Sequence, residues 1–311
     1  MQKCIELMED AFRSLARGEV ILPLRPVLRI PDSSNVFALM PAYSKSLRAI
    51  GTKLITVYPG NHGTDLDSHQ GAVLLLDGER GNPLAMIDAA SITAIRTAAV
   101  SGVATRLLAP KDAATVAILG SGVQGRAHVD AMLAIRPFKR VVVWSRDVEH
   151  AKSLAAAASK QHGIKVDVAP AVESAVREAE VVCTVTASRE PVLRGAWLRP
   201  GAHVNAVGAS MPNARELDTE AVRRSRVFVD RRESALNEAG DLLIPMREGA
   251  ITADHIVAEI GDVLTGAAEG RRSPAEITLF KSLGLAIEDL ASAHFLYGRA
   301  KSEQAGTWVE F

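Results

Sequence analysis

The chain has 311 residues, of which 48% are apolar, and its 36 Lys and Arg are balanced by 36 Asp and Glu. This length is about twice that of one typical domain, so two domains are expected. A balanced charge excludes the basic surface by which proteins bind nucleic acids or anionic membranes. We therefore expect a small-molecule partner and neither a nucleic-acid nor a membrane partner.

Cysteine usage and hydropathy indicate the compartment. Cys4 and Cys183 are the two cysteines, far apart in the chain, and do not form the disulfide framework of a small secreted domain. No run reaches the roughly 18 consecutive apolar residues of a membrane helix, and residues 1–20 carry charges unlike those of a signal peptide. The expected location is the cytoplasm.

The first 112 residues predict an α+β domain. Ile5, Met8, Phe12 and Leu15 recur at helical spacing and predict a helix over residues 1–17. Short extended runs then predict an antiparallel sheet, at residues 27–30, 36–40, 51–58, 72–77 and 84–88. A buried helix is predicted over residues 91–108 and ends at Pro110, so a domain boundary is expected near residue 112.

The remainder predicts an α/β domain with a doubly wound parallel Rossmann sheet, because strand and helix patterns alternate. The strand candidates are residues 115–119, 140–144, 164–168, 180–186, 203–207 and 226–230. Residues 278–300 predict a long helix that returns to the first domain. The predicted division is therefore 1–112 plus 288–311 for one domain and 113–287 for the other.

A glycine-rich segment lies where the first of these strands meets a helix. Gly120, Gly122 and Gly125 form the pattern G-x-G-x-x-G, with Val123 and Gln124 opening the helix. Gly120 allows the tight turn, Gly122 lets the backbone approach a pyrophosphate, and Gly125 permits close packing of helix and strand. The segment predicts a dinucleotide site with the pyrophosphate at the helix N-terminus.

The end of the second strand predicts which dinucleotide binds. An acidic residue there binds the ribose hydroxyls of NAD, whereas a cation accommodates the extra phosphate of NADP. Ser145, twenty residues after Gly125, stands at this place and is followed by Arg146. Asp147 is next and is expected to cap the following helix. The sequence favours NADP(H) over NAD(H), and it predicts no metal site.

Three cations lie in apolar surroundings of the first domain. Arg25 follows an apolar run, Lys53 lies on a strand and Arg96 on the buried helix. An inward-facing cation requires an anion. Any one of them equally fits a structural carboxylate partner, but the three together suggest a pocket for a carboxylate substrate, which Arg can bind in bidentate fashion.

These segments resemble the ornithine cyclodeaminase and mu-crystallin family, and most nearly its mu-crystallin, or ketimine reductase, branch. The resemblance rests on motifs in family order across nearly the whole chain. They are Leu22–Arg25, Met40-Pro41-Ala42-Tyr43-Ser44, Thr52-Lys53-Leu54, Ser68-His69-Gln70, Ile92–Ala99, the glycine segment, Asn205-Ala206-Val207-Gly208-Ala209-Ser210, Arg215-Glu216-Leu217-Asp218 and Phe280-Lys281-Ser282-Leu283-Gly284.

The resemblance implies roles for individual residues. Arg25 and Lys53 are expected to bind a substrate carboxylate, Arg96 to lie beside substrate and nicotinamide, and Glu238 to border the substrate. The residues expected at the cofactor are His69, Thr97, Thr186, Val207 and Ser282. It also implies a homodimer, formed through the domain that binds substrate.

One departure from the family pattern bears on the reaction. Cyclodeaminases and alanine dehydrogenases of the family have Asp where this chain has Ser210, and a serine hydroxyl is no general base near neutral pH. The expected activity is NAD(P)H-dependent reduction of pyrroline-2-carboxylate or piperideine-2-carboxylate to proline or pipecolate. Candidate catalytic residues are Lys53, Arg96 and Ser210, and the proton donor stays open among Ser210, a bound water and Lys53.

Two alternatives remain at this point. One is an enzyme of the same fold, an ornithine cyclodeaminase or an alanine-type amino-acid dehydrogenase. The other is an NADPH-dependent protein that binds a small ligand without turnover. Ser210 weighs against the first alternative, and the three cations weigh against the second.

Overall fold

The computed structural model describes residues 1–61 and 63–309. Two compact units are present. The parallel-sheet unit comprises Met1–Ile5 and Thr97–Leu283, and the antiparallel-sheet unit comprises Glu6–Arg96 and Gly284–Phe311, of which Glu310 and Phe311 lie outside the described residues. The change of unit falls after Arg96, inside a helix, whereas the sequence placed a domain boundary near residue 112.

The elements are numbered along the chain. The strands are β1 (Val20–Ile21), β2 (Val27–Arg29), β3 (Val36–Ser44), β4 (Ala49–Val57), β5 (His69–Asp77), β6 (Pro83–Asp88), β7 (Thr115–Leu119), β8 (Arg140–Trp144), β9 (Val166–Val168), β10 (Val181–Thr184), β11 (His203–Ala206), β12 (Ser225–Val229), β13 (Ile256–Glu259) and β14 (Ile277–Lys281). The α-helices are α1 (Gln2–Ala16), α2 (Ala89–Leu108), α3 (Val123–Ile135), α4 (Val148–His162), α5 (Val172–Val176), α6 (Thr219–Arg223), α7 (Arg232–Glu238), α8 (Gly240–Arg247), α9 (Ile260–Thr265) and α10 (Ala286–Glu303). Over residues 1–61 and 63–309, no helix is long and apolar enough to cross a membrane.

The antiparallel-sheet unit confirms the predicted antiparallel sheet. Its strand order is β1-β3-β4-β5-β6, with β2 also paired to β3. Every second residue of β3 and β4 is buried, the pattern of a sheet with one covered face. Helix α10 packs on β3, β4 and β5. The last helix of the chain therefore completes the core of its first sheet.

The parallel-sheet unit confirms the predicted doubly wound sheet but has more strands than expected. Its order is β13-β12-β14-β11-β10-β7-β8-β9, and every adjacent pair is parallel. Alternate residues of β7 enter two apolar clusters, Ala117 and Leu119 in one and Val116 and Ile118 in the other. Core residues therefore cover both faces of the sheet, as a doubly wound fold requires.

The helix predicted over residues 278–300 is wrong at its beginning. Ile277–Lys281 is strand β14, inserted between β11 and β12, and α10 begins only at Ala286. All five residues of β14 are buried, so the strand has no alternation that would distinguish it from a buried helix. Gly284, with φ of +76°, turns the chain between the strand and the helix.

Candidate functional site

Two of the predicted cations are buried and paired with the first turn of α10. Lys53 on β4 is 2% exposed, and its Nζ lies 2.9 Å from Oδ2 and 3.1 Å from Oδ1 of Asp289. Arg96 on α2 is 4% exposed; it donates from Nη1 to Glu288 Oε2 at 2.6 Å and from Nε to Asp289 Oδ1 at 3.2 Å. Both cations therefore have structural carboxylate partners, the alternative that the sequence left open.

The third cation reaches the same place. Arg25 donates from Nη2 to the carbonyl oxygen of Gly284, 3.3 Å away, immediately before α10. A Cβ atom at Gly284 would lie only 2.3 Å from Nη1 of Arg96. A larger residue at 284 would therefore push the guanidinium of Arg96 out of its two ion pairs with Glu288 and Asp289. Arg25, Lys53 and Arg96 thus meet around the turn that precedes α10, and we call this group with Glu288 and Asp289 the cation cluster.

The cation cluster gathers cationic groups at the beginning of α10. Lys53 and Arg96 pair with the carboxylates of Asp289 and Glu288, and Arg25 reaches the carbonyl oxygen of Gly284. The N-terminus of α10 adds the positive end of a helix dipole. Guanidinium and ammonium groups at such a place suit the binding of a ligand carboxylate.

Burial and neighbouring charges act in opposite directions on these groups. Burial lowers the pKa of Lys53 to about 8, although Asp289 opposes the shift. Burial likewise disfavours the charge of Arg96, but Asp289 and Glu288 raise its pKa, so it stays protonated. For Asp289, burial is outweighed by Arg96 and Lys53, which lower its pKa. Lys53 is therefore the member of the cluster that can lose its proton near neutral pH.

His69 begins β5 in the same unit. Its side chain keeps an exposed surface, yet the protein atoms around the ring and the positive charge of Lys53 lower its pKa, with Asp67 opposing. The structure thus places this predicted cofactor residue within electrostatic reach of the cation cluster. A neutral imidazole is expected there at neutral pH.

In the parallel-sheet unit, the glycine segment has the geometry of a dinucleotide loop. Gly120 has φ of +127°, and a Cβ on it would lie 2.7 Å from the carbonyl oxygen of Val185. A Cβ on Gly125 would lie 2.2 Å from the carbonyl oxygen of Gly120, so the helix–strand contact requires glycine. Apart from the adjoining residues of the chain, nothing in the described part of the structure lies within 4 Å of a Cβ built on Gly122, directly before α3. The open space at a helix N-terminus fits a pyrophosphate.

The residues after β8 are arranged as the sequence predicts. The Ser121 hydroxyl donates to Oγ of Ser145 at 2.8 Å, which holds this serine beside the glycine segment. Asp147 accepts from the backbone N–H groups of Glu149 at 2.9 Å and His150 at 3.4 Å, and so caps α4. Arg146 is exposed. The nearby carboxylate is thus engaged as a helix cap.

Further predicted residues follow the carboxyl ends of other parallel strands. These ends share one edge of the sheet, the place where ligands bind in open α/β folds. Thr186 follows β10, Val207 and Ser210 follow β11, and Ser282 follows β14. The buried Ser282 hydroxyl has no hydrogen-bond partner among the described residues, and a polar ligand would satisfy it.

Two predicted residues lie elsewhere in the parallel-sheet unit. Glu238 is the last residue of α7, and Thr97 is buried on α2. The structure therefore groups Arg25, Lys53, His69 and Arg96 in one unit. The glycine segment and the other predicted residues belong to the second unit.

Sequence reasoning missed the anionic partners. Glu288 and Asp289 are the carboxylates of the cation cluster, and the hydroxyl of Thr93 accepts from Lys53 at 3.3 Å. The requirement of inward cations for anions was the available signal. It pointed to a substrate, because nothing local to Lys53 reveals a partner 236 residues further along the chain.

A model of the ornithine cyclodeaminase/mu-crystallin family matches residues 1–304. The chain belongs to this family. Among its relatives, ketimine reductase mu-crystallin of Mus musculus is 43% identical over 293 residues, which are 93% of this chain and 90% of the relative. The resemblance seen in the motifs is thus confirmed across the sequence.

Solved structures of other proteins have the same fold. Delta(1)-pyrroline-2-carboxylate reductase of Thermococcus litoralis, in complex with NADH and L-proline, superposes with a TM-score of 0.97 at 39% identity, covering 99% of this chain and 96% of that one. An archaeal alanine dehydrogenase dimer with bound NAD gives a TM-score of 0.94 at 32% identity, covering 100% and 95%. The α/β fold with its Rossmann-type sheet is therefore that of the family.

The glycine geometry predicts different effects for two substitutions in this family member. Gly125→Ala should lower the free energy of unfolding by about 1–3 kcal/mol, because its Cβ collides with backbone. Gly122→Ala should leave the melting temperature unchanged, since its φ of −75° suits alanine and its surroundings are open. It should still weaken binding of the nicotinamide dinucleotide about tenfold or more by occupying the pyrophosphate position.

Thermal melting and fluorescence titration with NADH and with NADPH would measure both effects. Equal melting temperatures for Gly125→Ala and the wild-type protein would contradict the packing argument. Unchanged affinity of Gly122→Ala for both dinucleotides would place the pyrophosphate elsewhere.

Proposed function

We propose that the chain is an NAD(P)H-dependent reductase of cyclic ketimine carboxylates. The substrate is pyrroline-2-carboxylate or piperideine-2-carboxylate, and the product is proline or pipecolate. The observation that carries the proposal is the cation cluster, whose three grouped cations and whose lysine of lowered pKa suit a substrate with one carboxylate and one basic nitrogen. Support comes from relatives that are a ketimine reductase and a pyrroline-2-carboxylate reductase.

The cluster residues have distinct roles in this proposal. Arg25 and Lys53 bind the carboxylate, while Arg96, held by Glu288 and Asp289, adds a fixed positive charge beside it. Their main contribution is orientation of the imine carbon. The nicotinamide supplies the hydride, held by the glycine segment and the neighbouring strand ends.

The imine nitrogen requires a proton as its carbon is reduced. Of the three sources that the sequence left open, we propose Nζ of Lys53. Burial lowers its pKa to about 8, and a weaker hold on the proton makes it a better acid near neutral pH. When Lys53 takes up a new proton, its ammonium group is stabilised by Asp289 and by the hydroxyl of Thr93.

Ser210 argues against the cyclodeaminase and dehydrogenase alternatives. It is exposed after β11, and its hydroxyl cannot serve as a general base near neutral pH. A cyclic imine already contains the electrophilic carbon and needs no such base. The expected reaction is therefore reduction of a preformed imine, without release of ammonia from ornithine.

We propose a preference for NADP(H) over NAD(H). Ser145 stands where NAD-specific sites have an acid, Arg146 is exposed beside it, and the carboxylate of Asp147 is used to cap α4. The complexes of the two structural relatives contain NADH and NAD, so the preference rests on these residues of this chain. A cytoplasmic location also stays a prediction.

The first test is the rate of nicotinamide oxidation with each of the two imines. We expect turnover of at least one imine, with kcat/KM at least about tenfold higher for NADPH than for NADH. L-Ornithine should release no ammonia. Lys53→Ala should lose about 100-fold in kcat/KM with an unchanged dissociation constant for NADPH. Tight NADPH binding without turnover of either imine would contradict the proposal and favour a binding role.

The pH dependence of kcat/KM tests the role of Lys53. The protonated amine is the active form, so the rate should fall as the pH rises through the pKa of about 8. Asp289→Asn removes the charge that opposes the effect of burial, and the falling limb should move to lower pH by about one unit or more. Glu79→Gln, an exposed change in the same unit, should leave it in place. A limb that does not move in Asp289→Asn would exclude Lys53 as its origin.

We further propose that the chain forms a homodimer through the face of the antiparallel sheet opposite to α10. Leu39, Leu54 and Leu74 project from this face and stay only half-buried, and Met86 on the edge strand is 76% exposed. So large an apolar face on one chain is typical of a surface that associates. The archaeal relative is a dimer, which supports a second copy as the occupant.

A charge on this face should weaken the dimer. Met86→Glu places one carboxylate in each copy of a symmetric interface, so light scattering after gel filtration should show a shift towards monomer at micromolar concentration. Val148→Glu, which places the same charge at an exposed apolar residue of α4, should keep the dimer. The proposed interface would be contradicted if the wild-type protein were a monomer. It would also be contradicted if Met86→Glu and Val148→Glu formed dimers to the same extent.

A further inference from the structure

A buried carboxylate that no role above uses lies at the carboxyl edge of the parallel sheet. Glu216 is completely buried and accepts four hydrogen bonds. Its Oε1 accepts from the backbone N–H of Thr186 at 2.6 Å and from the Thr186 hydroxyl at 2.7 Å. Its Oε2 accepts from the backbone N–H of Gly208 at 2.7 Å and from the Thr184 hydroxyl at 2.8 Å. One side chain thus joins the segments that follow β10 and β11.

A second buried pair fixes Glu216 itself. Oδ1 of Asp241 accepts from the backbone N–H groups of Glu216 at 2.7 Å and Leu217 at 3.1 Å. Its Oδ2 lies 2.9 Å from Nζ of Lys281, the last residue of β14, which also donates to the carbonyl oxygen of Ala209 at 2.6 Å. Asp241 and Lys281 are completely buried. The arrangement therefore ties the end of β14 to the segment that leads to Ser210.

Space around Gly208 is matched to this contact. A Cβ atom there would lie 2.1 Å from the carbonyl oxygen of Thr186 and 2.6 Å from the carboxyl carbon of Glu216. Only glycine allows the two segments and the carboxylate to approach this closely. The glycine before Ala209 and Ser210 thus has a packing reason independent of any ligand.

The position of the contacts gives them a function. The segments after β10 and β11 carry Thr186, Val207 and Ser210, and ligands in this fold bind outside the carboxyl ends of the strands. Buried polar groups that are fully satisfied define one arrangement of the backbone. Glu216 therefore acts on the cofactor edge through backbone, without being required to touch a ligand.

We propose that Glu216 is a positioning residue that fixes the segments after β10 and β11 in the arrangement that binds the nicotinamide end of the cofactor. The inference rests on the cofactor part of the proposed function and is independent of the substrate. Burial and the neighbouring Asp241 raise the pKa of Glu216, whereas the hydrogen bonds from Thr186 and the charge of Lys281 oppose that rise.

Replacement by glutamine is a sharp probe of this role. Each carboxylate oxygen faces one backbone N–H, that of Thr186 or that of Gly208. Glutamine has one oxygen and one NH2 group, so in either orientation its NH2 group opposes a backbone donor. The shape of the side chain is kept, while one of the two segments loses its acceptor.

Hydrogen exchange of the protein without cofactor measures the two segments directly. In Glu216→Gln, the amides in peptides covering residues 184–190 and 206–211 should exchange at least about tenfold faster, and the NADPH dissociation constant should rise about tenfold. The matched control is Asp218→Ala. Asp218 accepts from the backbone N–H groups of Gly195 at 2.9 Å and Ala221 at 2.8 Å, so its loss should speed exchange only there and leave NADPH affinity unchanged.

A milder variant keeps the test decisive if Glu216→Gln does not fold. Thr184→Val removes one hydroxyl donor to Oε2 and leaves both backbone donors, so the same peptides should exchange faster and NADPH affinity should fall about threefold. Unchanged exchange and unchanged NADPH affinity in whichever variant folds would overturn the proposal. Neither measurement uses an imine, so failure here is distinguishable from failure of the reductase proposal.

Discussion

Burial of positive charge is the constraint on which the antiparallel-sheet unit depends. A charge withdrawn from water is stable only with a close partner and further hydrogen bonds. Lys53 and Arg96 come from a strand and a helix of the first hundred residues, and their partners come from the first turn of α10. The last helix is therefore held to the first sheet by ion pairs as well as by apolar packing. The same requirement explains why glycine precedes α10, since Gly284 leaves room for the guanidinium.

The parallel-sheet unit meets the converse requirement, the burial of negative charge. Asp241 pairs with the ammonium group of Lys281, whereas the carboxylate of Glu216 is held by backbone N–H and hydroxyl donors. In each unit the buried charges thus stand beside residues for which a ligand role is proposed. Buried charged side chains, although costly to remove from water, thus occur where they fix the positions of these proposed ligand-binding residues.

Local signals could be predicted from the sequence, and long-range partners could not. The strands β7 and β8 have the bounds that were predicted, and the glycine segment has its expected turn, because spacing and residue type determine both. Strand β14 was missed because a short, fully buried strand has the same apolar pattern as a helix. The cations were recognised as inward-facing, whereas Glu288 and Asp289 were not, since nothing near them in the chain indicates which cations they meet.

The position of β14 has a consequence for how the chain acquires its structure during synthesis. Strands β11 and β12 are not neighbours, and the strand that separates them is made only after residue 276. In a nascent chain, the five strands from β7 through β11 can pair early in the order β11-β10-β7-β8-β9. Strands β12 and β13 cannot join this sheet until β14 has left the ribosome. The antiparallel sheet likewise waits for α10. Both cores are therefore completed only after residues 277–303 have been made, and until then incomplete sheet edges are exposed to other chains.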